Sequence, residues 1–266
     1  MTSMSVFGLA ALLSMVPAAV AALWGPFARD IRFWLLVGAA TVGATAWAVV
    51  RARSGWETGF SEAIWVTVAG ALVGFMLLAM AVRHAWRLSP ILLPYLLLLA
   101  VLATVWGQVP AQRLGGEAPP AWIVLHIVTS VITYVLLTLA AIAGAAVLVQ
   151  EWALRHRRRF GLTERLPSVA DAEKLELGLL LAAETVLGLG ILTGMGTQYV
   201  TSGAFLTFDH KSVLTIVAFF VIGILLIAHY RVGLRGRRAA RLVLVGYLLV
   251  SLGYPGVKFV TDVLMG

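Results

Sequence analysis

Long apolar stretches constrain the fold of this chain more than any other feature of its sequence. A bilayer core about 30 Å thick is crossed by roughly 20 apolar residues of α-helix. Eight stretches of the 266-residue chain have that character: 4–24, 31–50, 61–82, 87–106, 121–150, 176–198, 211–230 and 240–262. They are continuously apolar rather than alternating, which favours helices over the strands of a barrel. We therefore expect an all-α membrane protein, a bundle of eight transmembrane helices.

The composition excludes several classes of function. Apolar residues make up 61% of the chain and charged residues 12%, against about 45–50% and 25% in soluble domains. A soluble enzyme, a disordered chain and a nucleic-acid binder are excluded, despite the net charge of +8. The chain has no Cys, so disulfides, thiolate metal sites and a Cys nucleophile are excluded as well. No segment outside the spans is long enough to fold alone, and we expect a single membrane domain over residues 1–266.

The distribution of basic residues predicts the orientation. If the N-terminus lies outside, fifteen Lys and Arg residues fall in cytoplasmic loops and five in outer segments, as the positive-inside rule requires. The main clusters are 155–159 and 235–241, while Arg51 and Arg53 are the outer exceptions. The 155–159 cluster could also bind anionic lipid head groups, but we interpret it as a topology anchor. We expect both termini in the periplasm of a bacterial inner membrane, with residues 4–24 as a true first span.

His126 is the first candidate for chemistry within the spans. It lies about five residues inside the outer end of the fifth span, roughly 8 Å below the boundary. Ser130 and Tyr134 follow at four and eight residues, so all three share one helix face. Two interpretations remain open: a hydrogen bond to a neighbouring helix, or an axial ligand to a metal or haem iron.

Two other histidines lie at span boundaries. His229 ends the seventh span at the cytoplasmic side, roughly 19 Å from His126 along the membrane normal. Because imidazoles on one iron have nitrogens about 4 Å apart, these two residues cannot share a metal. His210 starts the seventh span at about the depth of His126, where it could complete an outer site or only cap the helix.

Glu184 is the carboxylate expected within a span, about 12 Å from the cytoplasmic end of the sixth. At that depth it must be protonated, paired or open to water. It could relay protons or cations, or form an interhelical hydrogen bond. The following outer connection, 196–209, is aromatic and nearly uncharged. Its side chains Tyr199, Phe205 and Phe208 could form an interfacial belt or cover a flat apolar ligand.

Four passages carry a family resemblance. They are Leu125-His126 with Tyr134 eight residues later, Leu166-Pro167-Ser168 with Glu173-Lys174, Gly190-Ile191-Leu192-Thr193-Gly194, and Lys211 to Arg238 with His229-Tyr230-Arg231. Over 121–241, in this order and with these gaps, the chain resembles the cytochrome c assembly family of haem-handling membrane proteins (CcsA and CcmC), and most of all its HemX/YpjD-like branch. The first four spans, within 1–120, are less recognisable, and the last lies within 240–266.

The resemblance implies an eight-helix, haem-associated protein of the cytochrome c maturation type. It implies that His126 is a haem ligand on the outer face and that His229 belongs to a separate site within the membrane. Members that present haem for attachment carry a Trp-rich outer segment ending in Trp-Asp-Pro-Lys, whereas this chain has Phe208-Asp209-His210-Lys211. The second outer His of those members has no counterpart near 253–256. The outer site is therefore incomplete, finished by His210 or Tyr254, or vacant.

The expected function is binding or relaying haem b in support of cytochrome c maturation or haem homeostasis, without covalent catalysis. The expected partners are haem, other cytochrome c maturation proteins and the lipid bilayer, but not nucleic acid. The candidate cofactor-binding residues are His126, His229, His210, Tyr134, Phe208 and Tyr254. Two alternatives remain: a proton-coupled transporter that uses Glu184, and an assembly or scaffold subunit without a cofactor.

Overall fold

Helices make up nearly all of the described structure. The computed structural model describes residues 3–25, 28–53, 59–107, 120–158, 160–203 and 210–260. Its elements are α1 (Ser3–Trp24), α2 (Ile31–Arg53), α3 (Phe60–Ala81), a 3₁₀ turn (Ala85–Leu88), α4 (Ser89–Val105), α5 (Pro120–Arg155), α6 (Gly161–Arg165), α7 (Val169–Ser202), α8 (His210–Val232), α9 (Gly236–Ser251), a π turn (Leu252–Gly256) and α10 (Val257–Phe259). These ranges contain no strand, which confirms the all-α prediction.

Seven helical segments are long and apolar enough to cross a membrane, among the residues described, and they correspond to the first seven predicted spans. The eighth predicted span, 240–262, has a different form. The 16-residue α9 is followed by the π turn and the three-residue α10. Pro255 lies inside that turn, and its missing N–H prevents a regular helix from continuing there. A count of eight spans and the orientation of the termini stay predictions.

Two of the spans are longer than their apolar stretches indicate. Helix α5 continues to Arg155, and α7 begins at Val169 rather than at 176. The start of α7 is fixed by Ser168, whose hydroxyl accepts the backbone N–H of Asp171 at 3.2 Å. A helix start is set by its cap and not by where the apolar residues begin. Glu184 is therefore about 22 Å along α7 from its first residue, while its expected depth of about 12 Å within the apolar span stays a prediction.

The chain divides into two compact units. The first unit comprises residues 1–114, 153–167 and 261–266, and its core is formed where α1 packs on α2 and α4, and α3 on α2 and α4. Phe33 and Phe75, both fully buried, meet edge to face with ring centroids 6.1 Å apart. Small side chains, among them Ala18 and Ala40, are fully buried as well. They let neighbouring backbones approach closely, as is usual between membrane helices.

Arginines make two notable contacts inside the first unit. Arg51, one of the exceptions to the charge pattern, pairs with Glu62 at the start of α3. This contact joins the end of α2 to the start of α3 by an ion pair. Arg165 of α6 donates to the carbonyl groups of Ala22 and Leu23. It thereby satisfies carbonyls that the end of α1 leaves without intrahelical partners.

The second unit comprises residues 115–152 and 168–260 and contains α7 to α10 with most of α5. Helix α8 packs on α7 and α9, and α7 also contacts α9. The second half of α5 is buried, with Leu137 and Ala143 fully enclosed, whereas its first half is largely exposed. The exposed half carries His126, so the second unit presents this residue on a helix that is only partly covered.

Candidate functional site

His126 lies in the second turn of α5, with its half-buried ring against α7. The ring contacts α7 at Gly194, where an added Cβ would stand 3.1 Å from Cε1 of His126. That spacing is tighter than nearly all Cβ contacts, so a side chain at Gly194 would require the imidazole to shift by a few tenths of an ångström. The close approach of the two helices therefore depends on a residue without a side chain.

The contacts of His126 favour one ring tautomer, the one in which Thr193 keeps its bond to Gly190 and also accepts from the ring. Nδ1 lies 3.2 Å from Oγ1 of Thr193, and this hydroxyl donates to the carbonyl of Gly190 at 3.0 Å. A hydroxyl has one hydrogen. Because that hydrogen is used on Gly190, Thr193 accepts, and Nδ1 of His126 is the donor. In the neutral ring the lone pair then resides on Nε2, the nitrogen that can bind a metal.

Trp122 fixes the same helix pair one turn earlier along α5. Its Nε1 donates to the carbonyl of Thr193 at 3.0 Å. Its ring lies on Gly196, where a Cβ would stand 2.6 Å from Cζ2 of the indole. The passages Leu125-His126 and Gly190 to Gly194 are thus in direct contact, although 67 residues separate His126 from Thr193.

Tyr134 contacts the C-terminal half of α9. Its hydroxyl pairs with Oγ of Ser251 at 2.9 Å and accepts from the hydroxyl of Tyr247 at 3.4 Å. The rings of Tyr134 and Tyr247 lie 5.6 Å apart. Ser130 donates to the carbonyl of His126 at 2.8 Å. A shared face on α5 thus carries two sets of contacts, one at His126 and one at Tyr134.

His229 lies in the last turn of α8. Its Nδ1 donates to the carbonyl of Leu234 at 2.9 Å, and the lone pair of the neutral ring is again on Nε2.

The turn to α9 is made by Gly233 and Gly236, with φ of 69° and 62°. These left-handed conformations favour glycine. A depression of about 420 Å³ at this turn is lined by Val232, Gly233, Leu234, Arg235, Arg237 and Arg238.

Two glutamates of α7 have buried carboxyl oxygens without a hydrogen-bond partner, Oε1 of Glu176 and Oε2 of Glu184. For Glu184, the interhelical hydrogen bond considered from the sequence is therefore not made by this oxygen. Glu176, only 4% exposed, was not singled out from the sequence, although it is the first residue of the predicted span 176–198. The residues described contain no group of three His, Asp or Glu side chains that could hold a metal ion.

Three predicted site residues cannot be placed by their side chains. Phe208 lies outside the described residues, as does Phe205. His210 is the first residue of α8, and Tyr254 lies in the π turn, but their side chains are outside the described part. Their roles at an outer site stay predictions. Tyr199, the described aromatic residue of that segment, is half exposed near the end of α7.

The sequence comparison decides the family. Residues 24–265 match the model of the cytochrome C assembly protein family. The chain belongs to this family. The match confirms the resemblance seen in the motifs and covers most of the chain, including the second, third and fourth spans, which the motifs left less recognisable. It also identifies the chain as a membrane protein related to cytochrome c assembly.

Two relatives differ in how closely they match. An uncharacterized 28.8 kDa protein in the nifR3-like 5′ region of Azospirillum brasilense is 48% identical over 266 residues, 98% of each chain. The inner membrane protein YpjD of Escherichia coli K12 is 27% identical over 200 residues, 73% of this chain and 74% of the relative. No solved structure matches. The kinship to YpjD supports the predicted branch of the family.

Thr193 is the site residue that sequence reasoning did not single out. It stands inside the passage Gly190 to Gly194, which was used only as a mark of resemblance. That passage could have indicated a role, because glycines flanking a hydroxyl residue allow close contact with another helix. The identity of the partner, His126, depends on contact between α5 and α7, which spacing along the chain does not reveal.

Proposed function

We propose that this chain binds or relays haem b in a bacterial inner membrane, in support of cytochrome c maturation or haem homeostasis, with His126 as the axial ligand. The observation that carries the proposal is the order of hydrogen bonds at His126. Nδ1 is engaged by Thr193, whose own hydrogen is donated to Gly190. The ring therefore has its lone pair on Nε2 and is held in one orientation, as ligating histidines usually are.

The chemistry of this donor suits haem. Bound haem supplies an iron that accepts an imidazole nitrogen as axial ligand and a flat apolar macrocycle. The first half of α5 exposes apolar side chains on both sides of His126, among them Trp122, Leu125 and Val128 at 39%, 45% and 46%. Where this surface meets water near the outer boundary, covering it with an apolar group removes apolar area from water and adds affinity. His126 orients the ligand, and the neighbouring side chains contribute the contact area.

His229 is proposed as the ligand of a second, separate site. Its Nδ1 is occupied by the carbonyl of Leu234, so the donor left for a metal is Nε2, as at His126. The adjoining turn is rich in arginine, with Arg235, Arg237 and Arg238 exposed. Guanidinium groups are suited to bind carboxylates, such as the propionate groups of a haem. We also propose that this arginine-rich end faces the cytoplasm and that both termini lie in the periplasm.

The experiment is an absorption spectrum of the full-length chain purified in detergent, as isolated and after addition of haemin. We expect a Soret band that titrates to saturation with wild type and that is lost or shifted in His126→Ala. His84→Ala is the matched control, since His84 is exposed in the turn before α4, and it should bind haem like wild type. His229→Ala should remove a second component of the titration. Identical titrations of wild type and His126→Ala would exclude His126 as the ligand.

A further inference from the structure

The carboxyl groups of Glu176 and Glu184 are each seated against a glycine of a neighbouring helix. Oε1 of Glu176 lies 3.3 Å from the position that a Cβ on Gly144 of α5 would take. Oε1 of Glu184 lies 3.1 Å from the corresponding position on Gly223 of α8. Both spacings are tighter than ordinary Cβ contacts, so a side chain at either glycine would displace a carboxyl group. The helices thus leave space for two acids inside the second unit.

Neither acid is neutralised by a partner. Glu176 is only 4% exposed. Neither its Oε1 nor Oε2 of Glu184 has a hydrogen-bond partner among the described residues. The surroundings of Glu176 on α7 are apolar, with Leu180 and Ala172 at 1% and 0% exposure. An ionised carboxylate without a partner is strongly disfavoured in such a place. A protonated carboxyl group has an O–H to donate, and the carbonyl oxygen of Ala240 borders the same space at Gly144, 3.5 Å from the Cβ position.

Two more accessible carboxyl groups lie about one helical turn from Glu176, towards the start of α7. Glu173 precedes it by three residues on α7, and Glu151 of α5 accepts the backbone N–H of Arg237 at 3.1 Å. Glu173 and Glu151 both approach Gly236, the first residue of α9. We call this place the carboxyl edge. It connects the buried acid to the arginine-rich end of α9.

The charged groups near Glu176 come from α7, α5 and α9. Helix α7 carries Asp171, Glu173 and Lys174 within five residues of Glu176, and α5 carries Glu151. Helix α9 adds the cations Arg237, Arg238 and Arg241 in its first two turns. Helix α8, which borders Glu184, has no titratable residue between 212 and 228. Glu184, which is partly buried, thus has no titratable neighbour on this stretch of α8, whereas Glu176 lies one turn from the carboxyl edge.

We propose that Glu176 is an exchangeable proton-binding site, loaded from the carboxyl edge of Glu151 and Glu173, and that Glu184 holds a second proton further along α7. When a proton is transferred to Glu176, the O–H bond of the donor carboxyl group or water molecule breaks and a new O–H bond forms on the Glu176 carboxylate. The transfer neutralises the charge of that carboxylate. Release reverses both changes. The site requires no haem, and it gives the chain a proton-coupled element that the proposed haem site does not explain.

The first test uses the wild-type chain, so it does not depend on how a variant folds. Purified protein is treated with dicyclohexylcarbodiimide, which enters apolar regions and reacts with protonated carboxyl groups, and the adducts are mapped by peptide mass spectrometry. We expect adducts on Glu176 and Glu184, with labelling that falls as the pH is raised, and none on Glu164, which is exposed on α6. Absence of an adduct on Glu176, or labelling independent of pH, would overturn the proposal.

The second test follows the route of the proton. Infrared spectra recorded after transfer to D₂O report the exchange of each protonated carboxyl group through the shift of its carbonyl stretch. Glu176→Gln should remove one band and thereby assign it. Glu173→Gln should slow exchange at the Glu176 band, and the matched variant Glu164→Gln should leave it unchanged. Equal exchange in wild type and Glu173→Gln would overturn loading from the carboxyl edge.

Discussion

Oγ1 of Thr193 on α7 accepts a hydrogen bond from Nδ1 of His126 on α5 at 3.2 Å. The two residues are 67 positions apart in the chain. The same hydroxyl donates to the carbonyl of Gly190, so its role towards His126 is fixed. The contact selects one ring tautomer and one ring orientation. Replacing a group that does this for a metal-binding histidine typically lowers metal affinity by about 10–100-fold.

Replacing Thr193 should therefore weaken haem binding without removing the ligand. In Thr193→Val the hydroxyl is lost at nearly constant volume, and we expect the affinity for haemin to fall by about 10–100-fold. Thr193→Ser keeps the hydroxyl and should stay close to wild type. Haemin titrations of the three purified proteins, followed at the Soret band, measure the difference. Equal affinities in all three would show that Thr193 does not orient a ligand.

Gly196 should tolerate no side chain, because the ring of Trp122 occupies the space. A Cβ there would stand 2.6 Å from the indole, so Trp122 must move and lose its hydrogen bond to Thr193. We expect Gly196→Ala to lower the free energy of unfolding by about 1–3 kcal/mol. Gly178→Ala is the matched control on α7, since nothing lies within 4 Å of its Cβ position. Unfolding titrations in mixed detergent micelles compare both with wild type, and an equal response of the two variants would contradict the packing argument.

The spans were predictable because hydropathy alone locates them. The structure has helices at the first seven predicted stretches. Their ends were less predictable, because a membrane helix can continue past the apolar layer until a cap or turn stops it. Ser168 followed by Asp171 was a readable start signal for α7. Its use would have placed Glu173 in the helix and Glu176 two turns inside it rather than at its first residue. The break at Pro255 was likewise visible in the sequence but was read through as part of one span.

The sequence predicted the candidate ligand, His126, but not the residues of α7 that contact its ring. His126 was singled out because an ionisable side chain inside a span is costly. Its contacts with Thr193 and Gly194 depend on how two helices meet, which spacing within one helix does not determine. The shared face of His126 and Tyr134 on α5 was a sound inference about one helix. It could not show that Tyr134 pairs with Ser251.

Tyr134 and Ser251 should show a measurable coupling. Their hydroxyls lie 2.9 Å apart and join α5 to the end of α9. We expect Tyr134→Phe and Ser251→Ala each to cost about 0.5–1.5 kcal/mol of unfolding free energy. The double variant should cost less than the sum, because the second change removes a bond that is already lost. Strict additivity in this double-mutant cycle would indicate that the hydrogen bond contributes nothing to stability.

The turn from α8 to α9 contains two glycines in the left-handed region, Gly233 and Gly236. Substituting each in turn separates the cost of backbone strain from the cost of a steric contact with Glu151. Gly233 has φ of 69° with nothing within 4 Å of its Cβ position, whereas the Cβ position of Gly236, with φ of 62°, is occupied by the carboxyl group of Glu151. Gly233→Ala should cost only the backbone strain, about 1–2 kcal/mol. Gly236→Ala should cost more, because Glu151 must also give up the N–H of Arg237, a capping bond of about 1 kcal/mol. In a Glu151→Ala background this capping bond is already absent, so the two glycine substitutions should become nearly equal in unfolding titrations. If the extra cost of Gly236→Ala persists there, it arises from the backbone and not from Glu151.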